Sequence, residues 1–535
     1  MTTHFKSWSV RLPAVIAVLA ALALPVPAPA ATPPDTLVIA KNIDDIISLD
    51  PAEVYEYSGG ELVNNIYDRL FTYEPGDFTK LVGDVVESWT IADDGRAFIF
   101  RIRPGLTFHS GRPVTAGDAA FSLQRVVQLG KTPAFILTQF GWTKDNVAER
   151  VTAKDPQTLS IAIDKSYAPS FVLTALSAAV ASVVDREEVL AHQADGDLGS
   201  AWLKNHSAGS GAYRLVNWKP NESVTLEANP QFHHGAPPLK RVVLRHVPEA
   251  ASQLLLLQKG DTDIARDLTP DQVKTAGADA ALALASSPKT NIQYLGLNQS
   301  VAALAIPKVR QAIRWAIDYQ GIAAHLLKGQ FIVHQAFWGR GSGGSLDDTP
   351  FHLDIAKAKA LLAEAGYPNG FALSLDTASS SPDTEIAQSL QSTFAQAGIT
   401  LTLIPSEKKQ LFTKYRARQH AAVLVPWSPD YLDIHSTADF FTRNADDSDT
   451  AAAKNAAWRN HWLIPELTQE TDAALLESDP AKRAARYLEL QRKVQADSPY
   501  VVLFQQIEQI ALRRDVKSFV LGPSWDTPVY WQASK

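Results

Sequence analysis

The chain has 535 residues, 46% of them hydrophobic and 20% charged, with a formal net charge of −7. That is enough chain and apolar content for two or three domains with large cores. The acidic balance argues against nucleic acid as a partner, and the lack of any Cys excludes a lipid-bearing lipobox, disulfides and thiolate metal sites.

His4, Lys6 and Arg11 precede or open an apolar run from Leu12 to Leu24, and Ala28-Pro29-Ala30 forms a small-x-small site before Ala31. This pattern reads as a secretory signal peptide over 1–30. Pro13 and Pro25 interrupt the apolar run, which is shorter than the roughly 20 residues a membrane span requires, so no retained anchor is expected. Cleavage removes Lys6 and Arg11 and no acid, leaving a more acidic mature protein, free in a periplasm.

Thr36 to Ala40 is β-rich and Ser48-Leu49-Asp50-Pro51-Ala52 reads as a turn, with a helix expected from about Gly60 to Leu70. The run from Gly83 to Arg125 is the most informative. Phe98, Phe100 and Ile102 alternate with Ile99, Arg101 and Arg103, the period of a strand with one buried face. Asp94-Gly95 and Pro104-Gly105 bound it as turns, and His109-Ser110-Gly111 is another. Thr115 and Asp118 stand at capping-box spacing before an amphipathic helix through Phe121, Leu123 and Val126. Residues 151 to 164 form a strand pair around Asp155-Pro156. Gly209 to Leu215 and Val224 to Glu227 form another around Pro220-Asn221. Leu239 to Val247 is a strand, and Ala250 to Lys259 a helix closed by Gly260.

A second block begins near Asn291, with a strand from Ile292 to Asn298. Pro307 opens a helix at its first position, with Val309, Ile313, Ala316 and Ile317 on one face. Asp354 caps IAKAKALLAEAG, which Gly366 ends. The strand Ala372 to Leu375, the helix from Ser381-Pro382-Asp383 to Ala397, the stop at Gly398 and the strand Ile399 to Ile404 make a βαβ unit, so a parallel pair with a right-handed crossover is expected. Ala421 to Val425 reads as a buried strand.

The order ESW, DDG, alternating aromatic strand, RPG, TFHSGRP and T-x-x-D between Gly83 and Arg125 closely resembles the signature of the bacterial extracellular solute-binding protein family 5, the peptide receptors of ABC importers. SLDPA at Ser48, GSGAYRL at Gly209 (with Ser210 and Ala212 as departures), GDTDIA at Gly260 and VRQAIRWAID at Val309 extend the resemblance from about residue 36 to 530. It implies an α/β, two-lobed periplasmic binding protein fold (type II, cluster C-like) with an extra α+β subdomain in the first lobe. By motif position, 35–65, 209–288 and 504–535 form lobe 1, 66–208 the subdomain and 289–503 lobe 2. It also implies a monomer that closes on its ligand and docks on an inner-membrane ABC permease.

Trp427-Ser428-Pro429-Asp430-Tyr431 places a carboxylate just past a buried strand, where sheet ends meet clefts. The resemblance implies that Asp430 pairs with a peptide's α-ammonium group, with Trp427, Ser428 and Tyr431 beside it, although Pro429 departs from the small residue usual there. It sets Tyr55, Glu56 and Tyr57 along the ligand backbone. A ligand carboxylate calls for a guanidinium, which dipeptide-specific members carry just before the helix that here begins after Pro382. DTASSSPDT has none, so Arg416 or Arg418 is the substitute to look for, and Trp338 is a candidate cleft wall. Gly339 to Gly344 satisfies G-x-G-x-x-G but lacks the flanking strand and helix of a dinucleotide site and reads as a flexible loop near the cleft. No His spacing suits a metal, no G-x-S-x-G elbow is present, and no cofactor is expected. The resemblance implies a short peptide as the ligand. An opine, a sugar, a nickel or haem complex or a peptide metallophore stands as the alternative within the receptor class, and a periplasmic hydrolase as the alternative outside it.

Overall fold

The computed structural model describes residues 1–4, 32–341, 343–451 and 454–535; the signal-peptide reading therefore lies, apart from its first four residues, outside the described residues. Two long antiparallel strands, Leu282–Leu297 and Tyr500–Arg513, pair from Leu282 opposite Arg513 to Gly296 opposite Tyr500, with register shifts along the way, and form the spine. One continuous eleven-stranded sheet grows outward from them. On one side Ala422–Trp427 pairs antiparallel with the first spine strand, followed by Phe371–Ala378 and Ile399–Ser406 in parallel. On the other side Ile264–Ala265 leads to Thr36–Lys41, Arg241–His246 and the hairpin of Ser223–Ala228 with Tyr213–Lys219. The short strand Phe331–Val333 also pairs with the second spine strand.

The sequence pattern accounts for most of this. Asp354 accepts a hydrogen bond from the Lys357 N–H, and Gly260 and Gly398 end their helices in left-handed conformation, which glycine adopts without a Cβ penalty. The parallel pair expected from the βαβ pattern is present. The spine strand, however, starts at Leu282 rather than at Ile292. Ala283, Ser286, Ser287 and Pro288 carry no strong β signal, and the run Lys289-Thr290-Asn291 reads as polar loop. Those three residues are nonetheless buried, at a register break between Pro288 and Ile292. The first helix spans Tyr57–Ile66 instead of 60–70. Its opening turn takes in Gly59 and Gly60, where a Cβ would come within 2.6 Å of Val54 and 2.8 Å of Asp526, so close packing outweighs glycine's poor helix propensity.

A separate antiparallel sheet, in the order Val86–Ile91, Ala97–Ile102, Thr158–Ala162, Val151–Asp155, carries the Gly83 to Arg125 run. Phe98, Phe100 and Ile102 are buried while Ile99 is 48% exposed. Thr115 and Asp118 form the reciprocal capping box of Ala116–Leu129. The motifs in this run hold distant segments together: Arg125 makes two 2.7 Å bonds to the buried Asp50 of SLDPA, and the His109 N–H donates to Gly209 O at 2.8 Å. A Cβ on Gly209 would lie 2.2 Å from Ile66 O. Gly209→Ala is accordingly expected to cost about 1–3 kcal/mol, read as a lower thermal midpoint; an unchanged midpoint would show that the crossing chain yields freely.

Candidate functional site

Two chain reversals face each other across a cavity of about 490 Å3. On one side, Tyr55 and Glu56 lead into the helix that Tyr57 begins, with Glu56 at the N-cap position. On the other, Trp427 ends the strand Ala422–Trp427, and Ser428 to Leu432 turn toward the helix Ile434–Thr442, whose N-cap is Asp433. The volume lies in the range of small-molecule sites. Tyr55 and Tyr57 keep 50% and 42% of their surface accessible, and both line the cavity. Phe78, Tyr73, Trp427 and Tyr431 complete an aromatic wall.

The two sides touch. Tyr55 Oη donates to Asp430 Oδ1 at 2.5 Å, and the Asp430 N–H is held by Ser436 Oγ at 2.9 Å. Asn291, on the spine strand, donates to Tyr57 Oη at 3.1 Å and accepts from Ser428 Oγ at 3.3 Å, so one amide links both walls. Trp427 stacks on Phe440 with centroids 3.5 Å apart. Tyr431 is 7% exposed and packs into the core of the separate antiparallel sheet, with its hydroxyl 3.3 Å from Gln139 Oε1. It borders the cavity but serves chiefly to dock the two halves of the molecule.

Burial pushes the Asp430 carboxyl up to about 6, with Asp439 adding to the rise and the Tyr55 hydroxyl opposing it. Glu56 is also raised, first by burial, although its Oε2 accepts the Tyr55 N–H at 3.2 Å. Removing the opposing hydrogen bond in Tyr55→Phe is expected to move Asp430 above about 6. A carboxyl-carbon NMR titration reads this, and an unmoved titration would mean the hydroxyl does not hold the carboxylate.

Not every sequence candidate reaches the cavity. Trp338 is 1% exposed in the core beside Phe337 and Tyr294, its indole N–H bonded to Gly343 O. The glycine run follows it there and is absent from the cavity lining, so the loop expected near the cleft packs elsewhere. Arg418 is buried against Asp447 and His461. Arg416 is exposed at the end of the helix Lys408–Arg416, close enough to act on Tyr55 electrostatically but outside the lining. The cavity adds residues that the motifs did not single out: Asp45, Arg69, Asp526 and, bridging beneath it, Asn291.

Among the described residues, Asp84, His233 and His234 form one group with metal-ligand composition. His233 Nε2 lies 3.2 Å from Asp84 and 3.6 Å from Asp68. Burial opposes its charge, but the two carboxylates carry its pKa up to about 9, so the imidazolium is favoured as their ion-pair partner.

Among curated relatives, the chain is 29% identical over 520 residues, 96% of both chains, to the probable D,D-dipeptide-binding periplasmic protein DdpA of Escherichia coli K12. It is 25% identical over 491 residues, 89% of this chain and 90% of the relative, to the glutathione-binding protein GsiB of Pectobacterium atrosepticum. Among solved structures, the periplasmic binding protein DppA of Helicobacter pylori in complex with peptide STSA superposes with a TM-score of 0.77 at 22% identity, over 93% of this chain and 98% of that one. The two-lobed periplasmic binding protein fold is thereby shared. The family model for bacterial extracellular solute-binding proteins, family 5, matches residues 80–449, and the chain belongs to that family.

Proposed function

We propose that this protein is the periplasmic receptor of an ABC importer and that it captures short peptides in the cavity between its lobes. The observation that carries the reading is Asp430: a carboxylate with its pKa raised by burial, held by one hydroxyl and, among the described residues, by no cation, in a cavity walled by aromatic side chains. A buried anion without a counter-ion is costly, and a ligand ammonium group supplies the missing charge. Trp427, Ser428, Tyr55, Glu56 and Tyr57 shape the space along the peptide backbone. The name of the E. coli relative and the peptide-bound H. pylori structure support the same ligand class.

Closure is proposed to pivot on the spine strands where the register breaks, between Pro288 and Ile292 opposite Gln505 to Ile507, near the lobe boundaries expected at 288 and 504. A monomer delivered to an inner-membrane permease fits the signal-peptide reading. No helix among the described residues is long and apolar enough to cross a membrane. Native mass spectrometry of protein purified without refolding, followed by calorimetry with the released compound, tests the ligand class. A peptide of a few residues is expected. A retained sugar, opine or metal complex that rebinds where peptides do not would overturn the reading.

A further inference from the structure

The charged residues lining the cavity are Asp45, Glu56, Asp430, Asp526 and Arg69. None of the four acids takes part in an ion pair among the described residues, whereas several acids elsewhere do. Asp50 pairs with Arg125, Asp185 with Arg112, Glu508 with Arg266 and Lys289, and Asp433 with Arg483. Asp45 accepts only the Ser58 N–H, and its Oδ1 is buried without a partner. Asp526 has no side-chain hydrogen bond among the described residues, and it acts electrostatically on Tyr57, as Asp430 does. Arg69 forms no ion pair with this set among the described residues. Its guanidinium is engaged by Ser177 O at 3.0 Å and Thr72 Oγ1 at 3.3 Å; Asp84 and Asp68 outside the cavity and Asp526 within it act on it electrostatically, and one cation stands against four acids.

We infer that the cavity selects ligands bearing at least two positive charges, in the peptide class a free α-ammonium group together with a basic side chain, with Asp430 taking one cation and the Asp45, Glu56 and Asp526 side taking the other. This rests on the peptide reading and narrows it. A second cation beside an unpaired carboxylate in a partly dry site gains Coulomb energy that water would screen, and the tyrosine and tryptophan faces add cation–π attraction. A ligand carboxylate would meet four acids against one arginine, whose terminal nitrogens already hold Ser177 O and Thr72 Oγ1.

The test is calorimetry in low salt at pH 7.5 with Ala-Lys amide, Ala-Ala amide, Ala-Ala and Ala-Glu, and with 1,5-diaminopentane as an amine that lacks a peptide bond. Affinity is expected to fall about tenfold or more with each unit of net positive charge lost along the four peptides, whether by removing an ammonium group or by adding a carboxylate. Asp526→Asn and Asp45→Asn should each cost Ala-Lys amide more affinity than Ala-Ala amide, narrowing the gap between the two. Equal or tighter binding of Ala-Ala than of Ala-Lys amide would overturn the charge inference and leave peptide capture standing. Binding of 1,5-diaminopentane alone would uphold the charge selection and remove the peptide reading, and binding of none of the five would remove both.

Discussion

Asp430→Asn is expected to lose about 2–5 kcal/mol of affinity for any ligand that presents a free ammonium group, the usual cost of truncating one side of a desolvated charge pair. N-acetylation of the ligand should cost the wild type a similar amount and the variant little, since the two changes remove opposite halves of one interaction. The pH dependence has a definite sign. In the free protein Asp430 titrates near 6, and a bound cation favours its ionised form, so affinity should rise as pH is raised from 5 through 6 and level off near 7. Stability runs the other way. A carboxyl whose folded pKa lies above its unfolded value favours the fold most below the unfolded pKa, and that contribution is lost as pH rises through about 6. Ligand-free Asp430→Asn should therefore match the wild type near pH 4 and exceed it at pH 7, by on the order of 1–2 kcal/mol once the water in the cavity is allowed for. A variant that binds poorly and is also less stable at pH 7 would mark Asp430 as structural. Unchanged calorimetry would end its assignment to the ligand.

The features legible in the sequence are those whose cause is local. Thr115 and Asp118 cap a helix three residues apart, Gly260 and Gly398 stop helices by their own backbone freedom, and Phe98, Phe100 and Ile102 alternate because one strand face is buried. Asp430 was legible because a buried strand, an aromatic and a carboxylate fall in one short run. The rest of the site was not, because its members come from far apart and carry no local mark. Asp45 and Asp526 lie near opposite ends of the chain and meet only through the sheet. Lys289 and Asn291 look like loop residues, yet the register break buries them, one toward a carboxylate and the other between the cavity walls. Trp338 shows the converse: an aromatic beside a glycine run suggests a cleft wall, but its indole N–H finds a carbonyl inside the core.

Loss of the Glu508 charge is expected to be the most destabilising single change outside the hydrophobic cores. Glu508, on the second spine strand, receives Arg266 at 2.5 Å and Lys289 at 2.5 Å, and Arg266 reaches on to Glu61 at 2.8 Å, which in turn holds Lys41 at 2.5 Å and the Tyr530 hydroxyl at 2.6 Å. These charged side chains are 6% exposed or less. The network thus binds the strands Thr36–Lys41 and Ile264–Ala265, the helix Tyr57–Ile66 and the C-terminal segment at Tyr530 to the spine strands beside the register break. Three cations already share two carboxylates, so Glu508→Gln leaves Arg266 and Lys289 with no carboxylate but Glu61, and breaking a buried pair in this way costs about 3–5 kcal/mol. Glu61 adds a pH signature. Burial raises its pKa, but Arg266 and Lys41 outweigh burial and hold it down at about 2. A carboxyl lowered on folding stabilises fully above its unfolded pKa and loses that contribution as pH falls toward the folded value. The thermal midpoint gap between wild type and Glu61→Gln should then be widest above pH 5 and close between about pH 4.5 and 2, whereas a gap independent of pH would mean that Glu61 stabilises by shape alone. If Glu508→Gln unfolds at the wild-type midpoint, water reaches the network and its ion pairs are weaker than their burial indicates.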